Sequence, residues 1–174
     1  LMRARPLPLR SLMSAVAAAV CVLAPMTAAQ AAEPITIMVG GINKIIYLPA
    51  KLTEALGYFK DEGLTVELQS QPAGVDAENQ LIAGAVQAVV GFYDHTIDLQ
   101  SKGKELEAIT VFCKVPGEVE LVSTKAAPSF KTMADAMRKT LGVTGLGSST
   151  DFLTRYLADR QGVASKDYTL LPVG

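Results

Sequence analysis

The stretch that sets the pattern of this chain runs from Ile35 to Gly41 and has the sequence Ile-Thr-Ile-Met-Val-Gly-Gly. Five strand-forming residues followed by two glycines predict a strand that ends in a turn. Pro49 then suits the first turn of a helix, in which Leu52 and Leu56 recur at helical spacing. A strand, a turn and a helix in this order indicate the first half of a βαβ unit.

The same alternation of strand and helix patterns continues towards the carboxyl end. Asp76 and Asp94 are placed to cap later helices, and Thr132 with Asp135 resembles the start signal of a short helix. The run at 88–92 is apolar throughout, which is typical of a central parallel strand covered on both faces. This order favours the α/β class, with parallel sheets covered by helices. Further strands are predicted at 64–68, 109–113, 118–124, 141–144 and 168–173.

Composition excludes several classes of function. The 174 residues include 16 Lys and Arg against 17 Asp and Glu, so the net charge is -1. A nucleic-acid binder usually carries a clear basic excess, and no nucleic-acid partner is therefore expected. Two Cys and one His are too few for a four-cysteine zinc site or a metal site built mainly from imidazoles. We expect neither a metal nor a cofactor.

Residues 1–31 have the pattern of a cleaved secretory signal peptide. A basic start precedes an apolar run at 11–25, and the small-residue triplet that follows predicts cleavage after Ala31. A membrane anchor is the alternative, but the apolar run is shorter than the roughly 20 residues that a span requires. Lipid attachment at Cys21 is disfavoured because Val20 stands where a small residue is needed. A periplasmic location is therefore expected.

The strongest local motif runs from Gly145 to Asp151, between a predicted strand and a predicted helix. The glycines allow close approach of a ligand, and Ser148, Ser149 and Thr150 add hydroxyl groups. The helix that follows presents unpaired N–H groups and the positive end of its dipole, which together favour a bound anion. A plain capping box of Ser148 with Asp151 explains the same residues, and both interpretations stay open.

Three further candidate segments each follow a predicted strand of the first sheet. In open parallel sheets, ligands bind outside the carboxyl ends of the strands. His95 can offer a hydrogen bond there, although Asp94 can equally cap a helix and His95 can equally be a surface residue. The segments comprise Gly40, Gly41 and Ile42, then Gln71 to Gly74, and then Tyr93, Asp94 and His95.

Five stretches also resemble one known family when they are taken in order. The chain is similar, from about Ile35 to its end, to the nitrate/sulfonate/taurine-type solute-binding proteins. These are periplasmic receptors of ABC importers and are related to the thiamine-pyrimidine synthesis group. The stretches are Tyr-Leu-Pro-Ala at 47–50, Glu-Ala-Leu-Gly-Tyr-Phe-Lys-Asp-Glu-Gly-Leu-Thr-Val-Glu at 54–67, Asn-Gln-Leu-Ile-Ala-Gly at 79–84, Tyr-Asp-His-Thr at 93–96 and Gly-Ser-Ser-Thr-Asp-Phe at 147–152.

The resemblance implies a type II periplasmic-binding-protein fold, in which two α/β lobes with parallel-rich sheets clamp a ligand. The first lobe would comprise residues 32–116 and the second would begin at 117, with hinge strands near 114–118. Members of the family are longer, so a C-terminally truncated fragment with an incomplete second lobe, 117–174, is expected. Ligand contacts carried over by position are Gly41, Ile42, Gln71 to Gly74, Asp94, His95, Ser148, Ser149 and Thr150.

The function implied by the resemblance is binding without chemistry. A monomeric receptor would capture a small anionic or heteroaromatic solute by lobe closure and deliver it to an ABC permease in the membrane. A thiamine-pyrimidine synthesis enzyme is one alternative, but the chain after the predicted cleavage keeps only Cys113 and no cysteine-rich segment. A ligand-sensing module of a signalling receptor is another. An exported α/β hydrolase is disfavoured because there is no Gly-x-Ser-x-Gly elbow.

Overall fold

The computed structural model of the protein describes residues 33–115 and 117–174. The predicted signal peptide at 1–31 lies outside the described residues, and its cleavage stays a prediction. Residues Glu33–Gly174 form one compact unit that contains two parallel sheets. The boundary between lobes at 116 and 117 also stays a prediction.

The first sheet has three parallel strands in the order β2-β1-β3. They are β1 at Ile35–Val39, β2 at Val66–Ser70 and β3 at Ala88–Val90. β1 lies in the middle, and Met38 and Val39 near its end are buried. All three carboxyl ends therefore meet at one edge, as parallel strands require.

Four α-helices accompany the first sheet: α1 at Leu48–Ala55, α2 at Tyr58–Asp61, α3 at Gly74–Ile82 and α4 at Asp94–Ser101, with a 3-10 turn at Ile45–Tyr47. Helix α3 covers β1 through a small core of Met38, Ala77 and Val86. Gly57 adopts a left-handed φ of 83° and separates α1 from α2. Among the described residues, none of the helices combines the length and apolarity that crossing a bilayer requires.

The second sheet pairs β4 at Thr140–Val143 with β5 at Thr169–Pro172, again in parallel. Helix α5 at Ser149–Arg160 connects them and buries Ala158 against a core that includes Leu141 and Tyr168. Two 3-10 turns complete this part, at Met133–Ala136 and Ser165–Asp167.

The start signal predicted at Thr132 is confirmed as a capping box. The Thr132 hydroxyl accepts from the Ala134 N–H at 3.3 Å, and the Asp135 carboxylate accepts from the Thr132 N–H at 3.0 Å. The two reciprocal bonds satisfy donors that the start of a helical turn leaves unpaired.

The strands predicted at 109–113 and 118–124 are wrong, because both segments are irregular. Ile109 and Leu121 leave 82% and 86% of their surfaces exposed. A strand needs a neighbour that supplies its hydrogen bonds, and no strand of the described residues pairs with either segment. The apolar residues make these segments suited to a sheet, but they do not reveal whether a neighbouring strand is present to form the hydrogen bonds.

The run at 88–92 is not a central strand, since β3 ends at Val90 and lies at an edge of its sheet. Its apolar character reflects packing of Val89 against the core beneath α3. An apolar run indicates burial without indicating that strands lie on both sides.

Neither predicted aspartate cap forms. The N-cap residues of α3 and α4 are Ala73 and Tyr93, so Asp76 and Asp94 lie inside the first turn of each helix. A carboxylate in the first turn still interacts favourably with the helix dipole. The side chain of Asp94 is also engaged elsewhere, with a residue of α5.

Candidate functional site

The carboxyl ends of both sheets face one cleft of about 390 Å³. The first sheet contributes the turn after β1 and the start of α3, and the second contributes the glycine-rich turn before α5. Parallel strands place their loops at one edge, which explains why the two sets of loops meet here. The lining includes Gly74, His95, Ser148, Ser149 and Thr150.

Two hydrogen bonds join the candidate segments across this cleft. The Ser149 hydroxyl donates to Asp94 Oδ1 at 2.8 Å, and the Val75 N–H donates to Ser148 Oγ at 3.1 Å. Residues that are more than fifty positions apart in the chain are therefore in direct contact. The glycine-rich turn and the end of β3, which the sequence singled out separately, belong to the same site.

Gly41, Ile42 and Gln71 lie beside the cleft rather than in it. They line a separate, shallow depression next to the end of β2. The Ile42 N–H is already used, because it donates to Ser70 Oγ at 3.0 Å. As ligand contacts, these three residues and the cleft-lining residues alike stay predictions.

The capping box proposed for Ser148 and Asp151 is wrong. Ser148 is the N-cap of α5 but makes no side-chain cap bond, since its oxygen accepts from Val75. The Asp151 carboxylate instead accepts from the Gly147 N–H at 2.8 Å and pairs with Arg155. The side chains of this turn therefore fix the turn itself and its contact with α3.

The hydroxyl groups of the glycine-rich turn are largely engaged within the protein. Thr150 Oγ1 accepts a hydrogen bond from the Thr144 N–H at 3.0 Å, and the Ser149 hydroxyl donates its hydrogen bond to Asp94. In contrast, the N–H groups of Ser149 and Thr150 donate no hydrogen bond within the described residues. The first N–H groups of a helix have no partner in the helix, so these amides are the donors available to a solute.

His95 is buried, with 6% of its surface exposed, so the interpretation of this residue as a surface histidine is wrong. Its Nδ1 lies 2.8 Å from Glu78 Oε2, within ion-pair distance of that carboxylate. Its ring meets the Phe152 ring edge to face, with centroids 6.5 Å apart. Burial raises the pKa of Glu78, and the neighbouring His95 opposes that rise.

The order of Ser149, His95 and Glu78 resembles the serine, histidine and acid of a hydrolase triad. The hydroxyl hydrogen of Ser149, however, points to a different acceptor. Ser149 Oγ lies 3.5 Å from His95 Nε2, at the limit of hydrogen bonding. A nucleophilic serine must give its proton to the base. Here the Ser149 hydroxyl donates its hydrogen bond to Asp94 Oδ1 at 2.8 Å. Ser149 therefore joins two helices and is not poised for attack.

Two glycines allow the end of β1 and the start of α3 to approach closely. A Cβ atom at Gly40 would lie 2.4 Å from the Gly74 backbone nitrogen, which no real contact permits. A Cβ atom at Gly74 would lie 3.0 Å from His95 Nε2, and both residues line the cleft. The backbone therefore lines the cleft at a place where side chains would fill it.

Four residues near the cleft were not predicted as site residues. Lys44 and Glu118 line the cleft, Tyr47 is buried at its wall, and Glu78 lies behind His95. Glu78 carried a signal in the sequence, because it is an acid next to Ala77 on the apolar face of a helix. The sequence gives no such signal for Lys44 and Glu118, because each lies in or next to an irregular segment. The course of such a segment depends on the tertiary fold.

Lys44 and Glu118 have shifted pKa values for the same physical reason. Burial lowers the pKa of Lys44, and the charge of Glu118 partly opposes that shift. Burial raises the pKa of Glu118, the nearby Asp94 charge raises it further, and Lys44 opposes the rise. Removing water disfavours the charged form of each group. The cleft therefore holds an acid and a base that influence each other.

Comparisons with known proteins agree with this architecture. A family model described as NMT1/THI5 like matches residues 47–174. A solved structure from Bordetella bronchiseptica RB50 is similar, with 33% identity and a TM-score of 0.68, over 81% of this chain and 44% of that chain. This chain thus spans less than half the length of that protein. No curated protein matches the chain closely enough to be compared. The fold is of the predicted α/β periplasmic-binding type, and the chain belongs to the NMT1/THI5-like family.

Proposed function

We propose that this protein is the periplasmic solute-binding receptor of an ABC importer. The NMT1/THI5-like family consists mainly of solute-binding proteins, which supports a binding role. The observation that carries the proposal is the shared cleft, where Ser149 and Asp94 connect the second sheet to the first. A cleft between two α/β sheets, lined by loops and helix starts, is the place where such a fold binds small molecules.

The solute in this proposal is small and either anionic or heteroaromatic. The free N–H groups at the start of α5 suit an acceptor atom or a partial negative charge. Tyr47 and Phe92 line the same cleft and offer aromatic contact. The volume of about 390 Å³ suits a small organic molecule.

Binding in this proposal needs no bond chemistry. A solute that contacts both sheets at once stabilises the closed form more than the open form, and the population shifts towards closure. The monomeric closed receptor then docks on a permease at the membrane and releases the solute. A solute recovered unchanged after binding would support this role, and a converted one would support the alternative of a biosynthetic enzyme.

A thermal-shift screen against nitrate, alkanesulfonates, taurine and pyrimidines tests the proposal. A bound solute should raise the melting temperature, because it binds the folded state and not the unfolded one. The Gly74→Ala variant should shrink that rise, because its methyl group enters the cleft beside His95. Ser165→Ala, which changes an exposed residue outside the cleft lining, is the control. The absence of any rise across the screen would contradict the proposal.

A further inference from the structure

We propose that a relay of four side chains beside the cleft joins the two sheets, and that its hydrogen bonds are complete only after it takes up one proton. Proton uptake therefore stabilises the closed cleft, and proton loss makes opening easier. This inference goes beyond the proposed function and concerns the protein with no solute bound. The buried relay consists of Glu78, His95, Ser149 and Asp94.

The buried relay contains three contacts between neighbouring groups. Glu78 Oε2 lies 2.8 Å from His95 Nδ1, and His95 Nε2 lies 3.5 Å from Ser149 Oγ. The Ser149 hydroxyl donates to Asp94 Oδ1 at 2.8 Å. Glu78 belongs to α3, and His95 and Asp94 belong to α4, whereas Ser149 begins α5 of the second sheet. The relay therefore crosses from the helices of the first sheet to the second sheet and back.

Burial makes an incomplete relay costly. Glu78 and Ser149 each leave 4% of their surface exposed, and His95 leaves 6%, so water cannot readily replace a lost contact. Glu78 Oε1 and Asp94 Oδ2 are also buried and have no hydrogen-bond partner among the described residues. A carboxylate in such surroundings is less favourable than a carboxyl group or a carboxylate beside a cation. The relay therefore gains from an added proton.

A count of hydrogens shows which contact depends on that proton. Each of the three contacts needs one hydrogen, and the Ser149 hydroxyl supplies the hydrogen that faces Asp94. With both carboxylates ionised, neutral His95 supplies only one more. That hydrogen lies between His95 and Glu78, because two lone pairs would repel at 2.8 Å. The contact of His95 with Ser149 then has none.

One proton from the solvent completes the relay by either of two routes. If the imidazole takes it, His95 becomes a cation with a hydrogen on each ring nitrogen. If Glu78 takes it, the carboxyl group donates to Nδ1 and the imidazole hydrogen moves to Nε2. Both routes place a hydrogen on Nε2, where it is donated to Ser149 Oγ. The added proton belongs to the coupled pair rather than to one residue.

The charges near Glu78 act on this proton in both directions. Burial raises the pKa of Glu78, and the neighbouring His95 opposes that rise. Asp98 raises it further, whereas Lys102 lowers it. Lys102 and Asp98 form an ion pair with each other, so their effects on the relay largely cancel.

The other end of the buried relay has a similar balance of charges. Glu118 lies near Asp94, whose charge raises the pKa of Glu118 after burial has done so, and Lys44 opposes that rise. On α5, Asp151 already accepts from Gly147 and pairs with Arg155. The two carboxylates of the relay itself therefore dominate its charge, and their negative charge favours proton uptake.

Hydrogen exchange of the Val75 amide measures how firmly the sheets are joined. This N–H donates to Ser148 Oγ across the cleft at 3.1 Å. After correction for the intrinsic effect of pH on exchange, its protection should be about tenfold lower at pH 8 than at pH 5, the scale of one hydrogen bond. The Gln71 amide donates to Val39 within the first sheet and should keep its protection. A ratio of the two protections that is independent of pH would overturn the inference.

Glu78→Gln distinguishes a relay from a contact that only packs α3 against α4. The glutamine amide has its own hydrogens, so it donates to Nδ1 while neutral His95 donates from Nε2 to Ser149. Val75 should therefore be as protected at pH 8 in this variant as it is at pH 5 in the unmodified protein. Glu105→Gln, at an exposed position, should retain the pH dependence. Low protection of Val75 at pH 8 in Glu78→Gln would overturn the inference.

The single histidine of the sequence gives a second readout that needs no variant. Long-range ¹H–¹⁵N spectra of the untagged protein report on both ring nitrogens of His95. Between pH 8 and pH 5, Nε2 should change from unprotonated to protonated, because both routes of proton uptake place a hydrogen there. An Nε2 that already carries a hydrogen at pH 8, or still lacks one at pH 5, would overturn the inference and would leave the proposed solute binding untouched.

Discussion

The Ser149 hydroxyl donates a hydrogen bond of 2.8 Å to Asp94 Oδ1, and so joins the first turn of α5 to the first turn of α4. Both helices begin at the carboxyl end of a parallel strand. The bond therefore fixes the carboxyl end of the second sheet relative to the carboxyl end of the first sheet. It also leaves Asp94 Oδ2 buried without a partner, which keeps an acceptor unused beside the cleft.

Ser149→Ala should destabilise the protein by about 1–3 kcal/mol, because it removes the donor to Asp94 Oδ1 in a partly buried place. Denaturant unfolding followed by circular dichroism measures this change. Ser165→Ala, which removes an exposed hydroxyl that makes no hydrogen bond among the described residues, should change stability by less than about 0.5 kcal/mol. Equal effects of the two substitutions would show that the Ser149–Asp94 bond contributes nothing to stability.

Gly40→Ala should cost about 1–3 kcal/mol or more, since the new methyl group would overlap the backbone at Gly74. The end of β1 and the start of α3 would have to separate, and the cleft would change shape with them. Gly117→Ala introduces the same atom into open space and should be nearly neutral. Comparable melting temperatures for the two variants would contradict the close approach of Gly40 to Gly74.

Stability should depend on pH through Glu78. Burial raises its folded-state pKa above the ordinary value of 4.5, so the folded state holds this proton more tightly than the unfolded state. Stability from this group is therefore highest at low pH and falls as pH rises from 4.5 through the raised pKa. Glu78→Gln should flatten that decline in unfolding curves recorded between pH 4 and 7.

Glu105→Gln removes an exposed carboxylate and is the control for the Glu78 experiment. It should leave the decline of stability with pH as it is in the unmodified protein. If Glu78→Gln leaves the decline equally intact, then burial does not hold the proton on Glu78 in the folded state.

Thr132→Ala should cost about 1 kcal/mol, because it removes one half of the capping box that begins the 3-10 turn before β4. Thr132→Ser keeps the hydroxyl group and should recover most of the loss. Thermal unfolding compares the three proteins directly. A serine variant as unstable as the alanine variant would show that the methyl group, rather than the hydrogen bond, matters at this position.

The sequence allowed the meeting of these loops in space to be predicted, because one rule covers every parallel sheet. Gly74, His95 and Ser149 each follow a strand, and strands that run in parallel bring their carboxyl ends to one edge. That rule holds without knowledge of side-chain contacts. The rule could not reveal that the Ser149 hydroxyl donates a hydrogen bond to Asp94, since this contact depends on how two helices are placed in space.

Partners that come from elsewhere in the chain account for the errors. The alternation at 109–113 and 118–124 predicted strands, but hydrogen bonds to a neighbouring strand cannot be inferred from one segment alone. The spacing of Ser148 and Asp151 predicted a cap, but Val75 competes for the serine oxygen. A local sequence pattern indicates which hydrogen bonds and contacts a residue is able to make. The tertiary fold determines which of them form.

The central claim is that a small solute binds in the cleft between the two sheets. Nuclear magnetic resonance of the ¹⁵N-labelled protein, titrated with the solute that most raises the melting temperature, tests it most directly. The amide signals of Gly40, Gly74, Ser149 and Thr150 should shift first and most. Shifts confined to residues remote from these loops, such as the end of α5 near Gly162, would contradict it.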